Sequence, residues 1–125
     1  RNPGLPPHYL AAGSKVTDTL LTEGCQVEGE VTHSVLFAGV HVHPGAFVKD
    51  AVIMPRAVIE RGAVIERAII AEGAIIAPGC QIGGTTGDIA VVGQGVHLPA
   101  GMHVLPGEQI DTATLAQRMQ QGKEA

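Results

Sequence analysis

A chain of 125 residues with 45% apolar content can bury one continuous core, and is too short for two ordinary domains. A net charge of -4, one Tyr, two Phe and no Trp leave neither a basic stripe nor an aromatic platform, which sets nucleic acid aside. No apolar run approaches the roughly 18 residues of a membrane span, so no membrane partner is expected.

In chain order, Arg1, Pro3, Pro6 and Pro7 make residues 1–15 read as a linker from a missing N-terminal domain. From residue 16 to 110 the chain aligns with itself. A short unit, Thr19 to His33, is followed by three gapless units of 17 residues, Ser34 to Asp50, Ala51 to Arg67 and Ala68 to Gly84. After an insertion at Thr85 to Ile89, Ala90 to Pro106 makes a fifth unit. At residues 111–125 the pattern becomes helical: Asp111 suits an N-cap, and Leu115 and Met119 share one face of a helix that would cover the open end of a stack.

Within each unit an aliphatic residue recurs about every six positions: Leu36, Val42, Val48, Ile53, Ile59, Ile65, Ile70, Ile76, Ile82, Val92, Leu98 and Val104. Two residues before most of them stands a small side chain such as Ala57, Ala63, Ala74 or Cys80. Three residues before many stands Gly, with Arg56 the exception. Short strands joined by tight corners and stacked coil on coil satisfy this period, and a 3.6-residue helix does not. The expectation is an all-β fold, a parallel β-helix of hexapeptide type with about five coils and a short C-terminal capping helix.

Alternation along each strand sorts the outward residues into three faces. Face one carries Leu20, Val35, Phe37, Val52, Met54, Ile69 and Val91 and is apolar in every coil, which predicts an interface. Face two carries Gln26, His41, Val58, Ile75 and His97, and face three carries Glu30, Phe47, Val64, Gln81 and His103. The repeat stacks Lys49 beside Glu66 and Asp50 beside Arg67, an expected charge ladder that competes with phosphate contacts at Arg56, Arg61 and Arg67.

No catalytic, metal or cofactor-binding residue is expected in this chain. His41 and His43, with Glu60 stacked beside His43, would hold a metal only weakly, because no further nitrogen or sulfur ligand is evident. A hexapeptide acyltransferase would need a histidine base on a protruding loop. The insertion at residues 85–89 has no His, and His33, read as lying at a shortened corner, is the remaining candidate. Cys25 and Cys80 take small corner positions in different coils, beyond disulfide reach, and suit a reducing cytoplasm.

The segments LPPHY (Leu5 to Tyr9), LLTEGCQVEGEVTHSVLFAGVHV (Leu20 to Val42), VKDAVIMP (Val48 to Pro55) and VIERAII (Val64 to Ile70) together resemble the C-terminal β-helix of bacterial glucose-1-phosphate adenylyltransferase, also called ADP-glucose pyrophosphorylase. The resemblance runs from about Leu5 to Val92. It implies a left-handed β-helix following a nucleotidyltransferase domain, in a catalytic or regulatory subunit of a tetramer that makes ADP-glucose for glycogen synthesis. By the same resemblance, Mg²⁺ and ATP belong to the N-terminal catalytic domain. The β-helix would take part in subunit contacts and in the response to sugar-phosphate effectors. The repeat alone also fits a free-standing acyltransferase, or the β-helix of another sugar-nucleotide pyrophosphorylase such as a mannose-1-phosphate guanylyltransferase.

Overall fold

A computed structural model describes residues 6–124, so Arg1, Pro3 and Leu5 of the expected linker, and Ala125, lie outside the described residues. Three parallel sheets wind into a β-solenoid of six rungs. Face two stacks Tyr9, Gln26, His41, Val58, Ile75 and His97 in register. Face three stacks Lys15, Glu30, Phe47, Val64, Gln81 and His103. Face one stacks Leu20, Val35, Val52, Ile69, Val91 and Gln109. In the central coils faces three and one are continuous, because Phe47–Ile53 and Val64–Ile70 each run as one strand across their shared corner.

The aliphatic residue at each inward position is buried, from Val27, Val31 and Leu36 through to Leu98, Val104 and Ile110. A prism this narrow admits one branched side chain per strand, and each buried Ile or Leu contributes roughly 1.5–3 kcal/mol. The corners leave still less room, which explains Ala46, Ala57, Ala63, Ala74 and the two cysteines, all buried. Gly24, Gly39, Gly73 and Gly95 turn the corner from face one to face two with positive φ. Arg56 occupies the same corner with φ 61°. Its N–H donates to the Ala38 carbonyl at 2.8 Å, continuing the corner-to-corner hydrogen bonds of its glycine neighbours.

Several expectations change. The coil count is six, not five, because Tyr9–Leu10 pairs on Gln26–Val27 and Lys15–Thr17 pairs on Glu30–Thr32. The solenoid thus begins inside the stretch read as linker. That first coil carries fewer of the small-residue signals, and at the open end of the stack Leu10 stays 44% exposed. Gln109–Ile110 adds the last strand of face one. The insertion falls where the repeat places it: Ala68 pairs with Ala51 on one side and, beyond five extra residues, with Ala90 on the other.

The shortened corner lies at Glu28–Gly29, between faces two and three, and not at His33. There Gly29 is in such close contact that a Cβ would fall 2.6 Å from the Ala46 carbonyl oxygen and 2.8 Å from that of His43. The C-terminal helix, Thr112–Glu124, does cover the last coil, but through Leu115 and Arg118. Arg118 donates to the His103 carbonyl at 3.0 Å and pairs with Glu108, while Met119 points outward, 43% exposed. Among the described residues no helix is long and apolar enough to cross a membrane.

Candidate functional site

The corner from face three to face one repeats Asp18, His33, Asp50 and Arg67, one per coil, and all four sit in the left-handed region with φ between 49° and 53°. Asp and His tolerate this conformation better than most residues, and Arg67 pays about 1–2 kcal/mol for it. The column and the adjoining Leu20, Val35 and Val52 of face one line an open cleft of about 540 Å³. Face one is therefore an apolar ladder with a polar edge, ending at Gln109. Leu20 is 69% exposed and Ile69 38%, while Val35, Phe37, Val52, Met54 and Val91 are half-buried.

Inside the cleft, His33 Nδ1 lies 2.7 Å from Asp50 Oδ1. The ladder pairing of Asp50 with Arg67 does not form; Arg67 instead donates through Nη2 to the Gly87 carbonyl at 2.7 Å, and its buried Nε has no partner among the described residues. The insertion supplies that carbonyl, so it draws the arginine away. Lys49 and Glu66 are in register as expected, yet the ion pairs of this region form elsewhere. The neighbouring Ser34 hydroxyl is already engaged: its Oγ donates to the Thr32 carbonyl and accepts from the Ala51 N–H.

The three arginines considered for phosphate binding do not converge. Arg56 turns the corner from face one to face two and pairs with Glu72. Arg61 lies at the corner from face two to face three, between the strands Val58–Ile59 and Val64–Ile70. Arg67 alone lines the cleft. One 17-residue coil spreads them over all three edges of the prism, so a single phosphate cannot meet them together.

On face two the structure assembles a group that the repeat did not reveal. Ligand atoms of Glu28, His41 and His43 all lie within 4.8 Å of one another. His41 Nε2 is 2.7 Å from Glu28 Oε1, and the two imidazoles stack with centroids 3.9 Å apart. Glu28, and not the expected Glu60, is the carboxylate of this trio: the pairing of Gln26–Val27 on His41–Val42 sets it on the rung beside His43, opposite the side on which Glu60 stands. Its signal in the sequence was its place directly after Val27, matching that of His43 after Val42. This nitrogen-rich set does not suit Mg²⁺, which prefers an octahedron of oxygens.

Both cysteines are buried and free. Cys25 Sγ donates to the Phe37 carbonyl and Cys80 Sγ to that of Pro99, and burial pushes the Cys80 thiol up. Both fill corners, and the raised Cys80 thiol is not poised as a thiolate.

Comparison with known proteins adds two kinds of likeness. The sequence profile of the family described as GlmU-like, C-terminal hexapeptide, matches residues 9–89. Curated proteins named glucose-1-phosphate adenylyltransferase, from Bacillus thuringiensis (strain Al Hakam) and Bacillus mycoides (strain KBAB4), are 54% identical over 54 residues. That stretch is 43% of this chain and 14% of each relative, so the chain matches only a small part of those proteins. The resemblance read from the sequence is thereby borne out for this segment. Among solved structures, a putative acetyltransferase from Bacillus cereus aligns over 94% of this chain and 86% of its own, with a TM-score of 0.36 and 15% identity, a likeness too slight to bear on function.

Proposed function

Since the chain belongs to the GlmU-like C-terminal hexapeptide family, we propose that it is the non-catalytic β-helical domain of a nucleotidyltransferase that makes ADP-glucose and pyrophosphate from ATP and glucose 1-phosphate. The observation that carries this reading is the 54% identity to proteins named glucose-1-phosphate adenylyltransferase. The chemistry, with Mg²⁺ and ATP, is assigned to a catalytic domain elsewhere in the same protein, and no step is assigned to residues of this chain. Its buried free thiols suit a reducing cytoplasm.

In this reading face one is the contact surface. An apolar ladder of Leu20, Val35, Val52, Ile69 and Val91 lies in register on a rigid sheet, flanked by a polar edge, which suits packing against the catalytic domain or a like subunit. Sugar-phosphate effectors enter through Arg67 alone among the three arginines, and Asp18 and Asp50 in the same cleft oppose an anion there.

The test is pyrophosphate release by the full-length protein with ATP, Mg²⁺ and glucose 1-phosphate, alone and with sugar-phosphate effectors. Release, with an effector response that is lost when this domain is deleted, supports the proposal. No release, either alone or with a related catalytic subunit added, sinks it.

A further inference from the structure

We propose that Glu28, His41 and His43 form a site for a late first-row divalent metal ion of the zinc class, clamping two adjacent coils of the solenoid. This inference is independent of the nucleotidyltransferase reading.

Three features of the fold converge on it. His41 opens the strand His41–Val42 and His43 directly follows it, so both imidazoles leave the same face and stack. Gln26–Val27 pairs in register with His41–Val42, which places Glu28 on the rung beside His43; the Glu28 N–H donates to the Val42 carbonyl at 2.8 Å, fixing the backbone one rung away. The side chains of His41 and Glu28 are 28% and 32% exposed, open enough for an ion to enter and covered enough to be held in place.

The donor set is chemically apt. Imidazole and carboxylate together suit zinc and its neighbours, at about 2.0–2.2 Å from the ion, with water completing the shell. Tetrahedral ligands at that distance lie roughly 3.4 Å apart, so ligand atoms already within 4.8 Å of one another need to draw in by at most about 1.4 Å. Without metal, the rings stack and His41 Nε2 is hydrogen-bonded to the Glu28 carboxylate. On binding, each imidazole turns about its side-chain torsions to aim a lone pair at the common centre. The proton of the ligating nitrogen is released or moves to the other ring nitrogen.

The experiment is a Zn²⁺ titration of the chain by calorimetry, with Co²⁺ as a spectroscopic substitute. One ion per chain, a visible Co²⁺ ligand-field spectrum and a metal-dependent rise in Tm are expected. His43→Ala and Glu28→Gln should each lower affinity about tenfold or more. His97→Ala, on the same face three rungs away, should leave it unchanged. The double variant H41Q/H43Q guards against misfolding, because its metal-free Tm reports the fold separately from the uptake. Absence of uptake at millimolar Zn²⁺, or undiminished uptake by the folded double variant, overturns the proposal.

Discussion

Gly83 lies in register with Glu66 on the neighbouring rung, so close that a Cβ on Gly83 would fall 1.9 Å from the Glu66 carbonyl oxygen. Its φ of 76° adds a second constraint. Gly62 has φ 71° but no atom within 4 Å of where a Cβ would stand. Gly62→Ala is therefore expected to cost only the about 1–2 kcal/mol of the left-handed conformation. Gly83→Ala should cost clearly more, since backbone must move as well. Urea unfolding of both variants checks this, and equal midpoints would show that the contact at Gly83 is relieved without cost.

Ile69 stacks on Val52 and Val91 at the middle of face one and is 38% exposed. In the isolated chain Ile69→Lys should change stability by no more than about 0.5 kcal/mol, because the side chain already reaches solvent. In the full-length protein it should weaken subunit assembly or the effector response, since a buried lysine without a partner is costly. Size-exclusion chromatography with light scattering and an effector titration read the two effects. Unchanged assembly together with an unchanged response would remove face one as the contact surface.

Asp111 caps the C-terminal helix. Its Oδ1 accepts from the Thr114 N–H at 2.8 Å, and the Thr114 hydroxyl lies 3.1 Å from the same oxygen. These hydrogen bonds, the backbone one foremost, hold its carboxyl below the usual 3.8. A group whose folded value is lowered stabilises the folded state above its unfolded value and loses that contribution as pH falls through the folded one. The helix is thus expected to fray below about pH 3.8 while the solenoid persists. Asp111→Asn should keep much of the cap and lose this pH dependence. Circular dichroism followed against pH decides it, and an identical acid transition in the Asn variant would assign the fraying to another group.

The inward half of this protein was legible in its sequence. Ile59, Ile65 and Ile70 fall at the positions the six-residue period assigns, Ala57 and Ala63 at the corners before them, and Arg56 at a left-handed corner otherwise held by glycine. Each of these depends on one coil's own geometry, repeated. The first coil is harder to read because Pro7 stands where later coils carry glycine and His8 where they carry a small side chain, although Leu10, Val16 and Leu21 keep the spacing and the coil pairs on its neighbour like any other. The helical period places Met119 on the packing face with Leu115, yet Arg118 docks there instead, because an arginine can reach through its guanidinium where the period expects an apolar contact.

The sequence alone determined which residues enter the core, where the chain turns and where the insertion interrupts the stack, because these follow from steric limits inside a single coil. Only the tertiary structure decided which outward side chains meet. Asp50 turned to His33 and not to Arg67, and Glu28, not Glu60, joined His41 and His43. The reason is physical: contacts between rungs depend on the length of every corner and on the rotamer each side chain adopts against its neighbours. The five residues added before Ala90 bring the Gly87 carbonyl to Arg67, and neither they nor the two missing at Gly29 disturb the period of the core.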